Sequence, residues 1–288
     1  MTMGIGKQFK YIREKREFTI EATAQGIITT NALTQFEADE KDIPLQKLQK
    51  LLLRMGVSLR QFANISDRLS QTSRQVRDDI HALYVAGNAP KLKEWFDNHP
   101  EVAPGDEQLA FFDHMLIAGK YFELTGERLC TEDEVEQLTN ILLENLTWDE
   151  SELDVLFWTL RLMNDNRVFM LSREVLHVVD GFRDWNFALY GAAWRTIIAG
   201  VTALVERHSN FAVTLVRQID ANEPMSEVMI ANRFTYMFLK AVMLVQKNNV
   251  PENVQLVQDT FDNVRPLRSA ELERNLRVID QRTVNVLA

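Results

Sequence analysis

One cysteine in 288 residues, Cys130, excludes an internal disulfide, and such a chain suits a reducing compartment. Glycine and proline are scarce, at 11 and 7, which leaves few of the signals that strand-and-turn proteins need. No apolar run reads as long enough to span a bilayer, and nothing at the start resembles a signal peptide. The five histidines, His81, His99, His114, His177 and His208, are scattered, with no HExxH or clustered metal-ligand spacing. A Gly-rich phosphate loop and a GxSxG nucleophile elbow are both missing. These absences exclude the common catalytic chemistries: no catalytic residue, cofactor, metal or membrane partner is expected, and the protein is placed in the cytoplasm. Cys130, beside Thr131 at a helix start, reads as a buried thiol rather than a reactive one.

What is present is helical. Leu, Ala, Glu, Gln, Arg and Met are abundant, hydrophobic residues make up 46% and charged residues 25%, so the class is all-α and globular. The length calls for a second domain beyond any small module. The net charge of -9 is unevenly spread: residues 1–70 carry 11 Lys and Arg against 8 Asp and Glu, and the remainder 21 against 33. Lys7, Lys10, Arg13, Lys15 and Arg16 crowd into the first predicted helix. A basic head therefore precedes an acidic body, which would discourage non-specific adhesion to DNA.

The head divides into five short helices. Ile5, Phe9 and Ile12 have helical spacing in a first helix over 4–16. Thr19 caps a second over 20–25, ended by Gly26. Ile27 and Ile28 enter the core, and Thr29 or Thr30 caps a third helix running to about Ala38. On it Leu33 and Phe36 point inward, while Asn31, Thr34 and Gln35, related as i, i+3 and i+4, share the opposite face. Pro44 suits the first turn of a fourth helix carrying Leu45, Leu48 and Leu52. Ser58 to Gln61 has the pattern of a capping box opening a fifth. Two short helices joined by a tight Gly-containing turn have helix-turn-helix geometry. Asn31 and Gln35 suit bidentate contacts to adenine, and Thr34 suits a base edge or thymine methyl. Thr29 and Thr30 at the helix start suit phosphate, and Lys7 and Lys10 suit the charge of the DNA backbone.

The run Ile12-Arg13, Thr19-Ile20, Ala24-Gln25-Gly26-Ile27, Leu33, Phe36-Glu37, Leu48 and Phe62 resembles the Cro/C1-type helix-turn-helix. Within that class it is most similar to the Rgg/GadR/MutR regulators, over roughly the first 65 residues. The resemblance implies that Arg13 and Glu37 pair inside the domain. It also exposes a departure, since relatives usually have Gly where this chain has Asp39; aspartate tolerates the left-handed conformation better than most residues.

The expected organisation is a DNA-binding domain over 1–66, a linker helix over 67–88 with Ile80, Leu83 and Tyr84 on one face, and a regulatory and dimerisation domain over 89–288. In the last of these, hairpin starts near Gln108, Trp148, Trp185, Met225 and Ser269 give a period of roughly 40 residues. Thr131 to Glu134 and Thr147 to Glu150 are further capping-box patterns. Hairpins of this length stack as a right-handed, tetratricopeptide-like superhelix with a concave face.

The architecture resembles the peptide-responsive RNPP regulators, which implies a short peptide pheromone, and hence quorum sensing, at that face. A peptide needs amide side chains, a cation and aromatic or aliphatic pockets. The candidates are Arg161 and Asn164, Tyr190 with Trp194 and Arg195, and Asn232, Arg233 and Tyr236. For each, a structural role stands beside the binding one. Trp158 and Trp185 read as hairpin core. A duplex DNA operator and a homodimer complete the expected partners. The terminal helix, over 269–286, either joins a dimer seam or caps the superhelix. A ligand-independent regulator and a helical-repeat protein scaffold remain the alternatives.

Overall fold

The structure is a computed structural model, and it describes residues 4–59, 61–63, 73–98, 107–144, 148–184 and 186–287. Those residues are all-α, with two compact units over 1–82 and 83–288. Thr147 and Trp185 lie outside them, as do residues 64–72 of the expected head-to-linker junction.

The first unit holds α1 (Ile5–Lys15), α2 (Ile20–Ala24), α3 (Thr30–Glu37) and α4 (Leu45–Arg54). A further helical segment includes Leu59 and residues 61–63. Phe9, Ile12, Ala24, Leu33, Phe36, Leu48, Leu51, Leu52, Met55, Val57 and Phe62 form its core. Phe9 meets Phe36 and Phe62 edge-on, at 5.6 and 6.4 Å between ring centroids. Ile27 and Ile28 pack against this cluster.

Helix starts are fixed locally. Thr19 and Thr29 each accept a backbone N–H, from Ala22 at 3.1 Å and Ala32 at 3.2 Å. Ser58 and Gln61 cap one another reciprocally. Two apolar residues depart from the expected pattern: Ile5 and Leu45 lie in the first turns of their helices and point outward, while Gln8 and Leu51 are buried instead. Pro44 stands just before its helix rather than within it.

α5 (Ser73–Val85) runs across the boundary between the units. The second unit continues with α6 (Ala89–Asp97), α7 (Glu107–Thr125), α8 (Glu132–Glu144), α9 (Glu150–Thr159), α10 (Asp165–Phe182), α11 (Phe187–Glu206), α12 (Asn210–Ala221), α13 (Ile230–Lys247), α14 (Pro251–Asp262) and α15 (Ala270–Thr283). Alternate helices stack: α7, α9, α11, α13 and α15 form one layer, and α8, α10 and α12 pack side by side in the other. The first layer is the more closely packed. Its helices begin at Glu107, Glu150, Phe187, Ile230 and Ala270, close to the expected hairpin starts.

The Thr131–Glu134 box forms, whereas the second closes between Asp149 and Glu152. Gly119 lets α7 approach α9, because a Cβ there would collide with the Trp158 carbonyl. α11 is long and apolar enough to cross a bilayer by composition, contrary to the sequence reading. Its apolar window is 72% buried inside this unit, which makes it a central core helix.

In the first unit one interaction fastens α1 to α3. Arg13 donates from Nε and Nη2 to the two Glu37 oxygens at 2.6 and 2.8 Å, and from Nη1 to the Phe18 carbonyl at 2.8 Å. Both side chains are under a tenth exposed. Glu37→Ala would strand the guanidinium, with an expected loss of about 3–5 kcal/mol. Hydrogen exchange at α1 and α3 amides of the full chain measures this, and unchanged protection would contradict it.

Candidate functional site

α3 is a two-sided helix. Its inner side carries Leu33, Phe36 and Glu37, and its outer side carries Thr30, Asn31 and Thr34 in the open with Gln35 half-exposed. The Thr34 hydroxyl donates back to the Thr30 carbonyl at 3.0 Å, and the side chain stays exposed. The turn before α3 is held from a distance. Arg54, at the end of α4, donates to the Thr23 carbonyl at 2.9 Å and to those of Ala22 and Gln25. Three carbonyls that close α2 thus converge on one guanidinium. Sequence reasoning missed Arg54, because no local pattern signals a bond reaching 31 residues back.

Lys7 and Lys10 are about half exposed. Lys10 lies 4.0 Å from Glu14, and Lys7 lies 3.5 Å from Asp39. Arg13 is withdrawn into the core, and the Glu37 carboxylate raises its already high pKa. The outer side of α3 therefore presents amides, hydroxyls and a methyl, with two lysines on α1 as the exposed cations of the candidate set.

The repeat-unit candidates separate by burial. Tyr190 and Trp194 are fully buried in the core. The Tyr190 hydroxyl accepts from Arg183 at 3.2 Å and from the Ser226 amide at 3.0 Å, so it fastens the α12–α13 connection. Trp194 packs edge-on against it. Tyr236 donates to Asp220 at 2.9 Å and to the Val216 carbonyl at 3.1 Å, and burial pushes its pKa upward. Asn164 caps α10 through the Arg167 amide. Arg161 sits between Glu123 and Glu206, which also face Arg282 of α15 at 3.2 and 3.7 Å. Burial raises the Glu206 pKa within this cluster. These five residues have structural work.

Three candidates remain available. Arg195 is exposed, over the Phe157 ring at 4.9 Å and 3.6 Å from Asp154. Arg233 is exposed on α13. The Asn232 amide nitrogen is buried without a hydrogen-bond partner. Beside Arg233 on α13, Ile230, Met237 and Leu244 recur every seven residues, each more than two-fifths exposed.

Of two further buried groups, one is legible in the sequence and the other is not. Cys130 is buried, and desolvation pushes its thiol pKa up, as an inert thiol requires. Lys120 carries no sequence signal of its burial. Its ammonium lies 3.6 Å from the Trp158 ring centre and 5.0 Å from that of Tyr84, at the end of α5. Aromatic faces are what make its burial tolerable.

A helix-turn-helix unit followed by a two-layered helical repeat defines a class of α-helical regulators in which one chain carries both parts. The chain belongs to the Rgg family of transcriptional regulators: the family model described as "HTH-type transcriptional regulator Rgg, C-terminal domain" matches residues 105–278. Its fold is similar over nearly the whole length to the Streptococcus dysgalactiae SHP pheromone receptor Rgg2 (TM-score 0.72, 15% identity, 94% of this chain and 97% of that one). A putative transcriptional regulator from Listeria monocytogenes EGD-e is similar too (TM-score 0.68, 15% identity, 96% of each chain). So is the PrgX/iCF10 complex (TM-score 0.59, 13% identity, 96% and 95%). Among curated proteins no sequence match is found.

Lys120 yields a signed pH dependence. Burial lowers its pKa to about 8, whereas an unfolded lysine titrates near 10.4. Between those values the unfolded chain binds more protons, so this residue's contribution makes the fold more stable as pH rises, and below about 8 the burial cost is present in full. The stability of Lys120→Met relative to wild type is therefore expected to fall as pH rises from about 8 to about 10. Denaturant unfolding followed by tryptophan fluorescence reads this, and a pH-independent difference would contradict it.

Proposed function

We propose that this Rgg-family regulator is a homodimer that binds duplex DNA sequence-specifically through its first 66 residues. In this reading residues 67–88 are the linker, residues 89–288 bind a short peptide and dimerise, and the protein is cytoplasmic. The single observation that carries the reading is α3: a capped helix, anchored by a buried ion pair, whose outer side bears Asn31, Thr34 and Gln35. Such side chains can read base edges in a major groove. Thr29 and Thr30 at its start, and Lys7 and Lys10 on α1, are assigned to the phosphates.

The peptide assignment is supported by two considerations. The repeat unit stacks α7, α9, α11, α13 and α15 in one layer, and stacked helical repeats offer extended surfaces suited to a peptide. On α11 and α13 of that layer, Arg195 and Arg233 are exposed cations, Asn232 has an unsatisfied amide nitrogen, and Ile230, Met237 and Leu244 form an apolar stripe. Similar folds occur in proteins named a pheromone receptor and a peptide pheromone/receptor complex. A peptide would act by shifting the spacing of the two heads.

A second reading is favoured by the internal commitments of Arg161, Tyr190, Trp194 and Tyr236. In it the repeat unit dimerises without a ligand.

Gln35→Ala is expected to weaken binding to an operator from the chain's own upstream DNA by about 1–3 kcal/mol, read by fluorescence anisotropy. Unchanged affinity and base preference would remove Gln35 from the reading set. Synthetic peptides encoded beside the gene should raise the melting temperature, through a stabilisation of about 2.7 kcal/mol at a hundredfold excess over Kd. An Arg195→Ala, Arg233→Ala double variant should abolish that shift. A shift that survives it would place the peptide elsewhere.

A further inference from the structure

Asp39 stands just past the end of α3 with a left-handed backbone, φ 60°. A side chain there is uncommon, so something must hold it. Its Oδ1 accepts the Gly6 amide at 2.7 Å, one of the open N–H groups in the first turn of α1. Its Oδ2 lies 3.5 Å from the Lys7 ammonium. Gly4 and Gly6 let the start of α1 approach the end of α3: a Cβ on residue 4 would meet the Asp39 carboxylate, and one on residue 6 would collide with the Phe36 carbonyl. The carboxylate is about a quarter exposed, and Glu40 and Asp42, both exposed, follow it closely.

We infer that Asp39 sets the DNA affinity of the head by acting as an internal anion that competes with DNA phosphate for Lys7. The inference rests on the DNA-binding reading above. A lysine already paired with a carboxylate releases less counterion on meeting DNA, and the carboxylate itself repels the polyanion. The close approach of α1 to the end of α3 at Gly6 sets this carboxylate beside Lys7. Asp39 is thus a positioning residue acting through Lys7.

Asp39→Asn separates charge from shape. Asparagine tolerates the same backbone, and its amide oxygen can still accept the Gly6 N–H. Binding of the full chain to duplex DNA from its own upstream region is measured across a salt series. The variant is expected to bind several-fold tighter at low salt, with a dependence of log K on log salt steeper by about one. Lys7→Ala should cost less DNA affinity in the wild-type background than beside Asp39→Asn, a non-additivity that a purely structural role would not produce. Hydrogen exchange at the α1 amides reports whether the joint survives.

If the wild type binds DNA and the variant, with α1 intact, binds no tighter, the inference is overturned. A Lys7→Ala change that costs as much salt slope in the wild type as it does beside Asp39→Asn overturns it too. If the wild type itself shows no binding at low salt, the DNA-binding reading falls and the inference with it.

Discussion

A reading helix has a use only if its outward side points in a fixed direction, and in this chain that direction depends on the Arg13–Glu37 pair. Two charges under a tenth exposed are costly to bury. Here the cost is offset, because the guanidinium spends its donors on both Glu37 oxygens and on the Phe18 carbonyl. The result is a joint between α1 and α3 that resists rotation as well as separation. Leu33 and Phe36 supply apolar burial on either side of it, but apolar contacts alone would leave the rotation of α3 loosely determined. The Thr29 cap sets where α3 begins, and Arg54 closes the helix before it. Asp39 and Gly6 close the joint at its other end.

Arginines do similar work in the repeat unit. Arg207 donates to the carbonyls of Met163 and Arg161 at 2.7 and 2.9 Å, Arg128 to that of Leu162, and Arg183 to that of Pro224 at 2.9 Å. Each satisfies carbonyls at a helix end or in the connection after one, positions that water would otherwise have to serve. Arg161 and Arg282, with Glu123 and Glu206, tie the last helix to α7 and α11. The buried Asp280 accepts the amides of Val286 and Leu287 and folds the tail back. Within the candidate set, Arg195 and Arg233 keep exposed guanidinium groups and Asn232 an unsatisfied amide nitrogen, so these three are the candidates for a ligand.

The parts of this structure legible in the sequence are those governed by local chemistry. Thr19, Thr29, Ser58 with Gln61, and Thr131 with Glu134 announce helix starts because a cap acts over three residues. The hairpin starts at Glu107 and Ala270 follow from apolar periodicity in the same way. Side chains whose role is set by distant partners were not legible. Tyr190 and Tyr236 have the amphipathic character of groove residues, yet bury their hydroxyls against Ser226 and Asp220. Arg161 reads as a free cation until Glu123 and Glu206 arrive from 38 and 45 residues away. Lys120 reads as a surface lysine until Trp158 is folded over it. On the candidate DNA face the pattern separated the inner residues from the outer ones, since one helix settles both, but it gave no sign that Asp39 claims Lys7.

The central claim, that α3 is a DNA-reading helix held in register by a buried ion pair, is tested most directly by hydrogen exchange on the full chain with and without duplex DNA from its own upstream region. The account predicts slower exchange across residues 29–37 and the start of α1 when DNA is bound, with the core of α11 unchanged. Binding that leaves residues 29–37 unprotected, or protects the repeat unit instead, would contradict it.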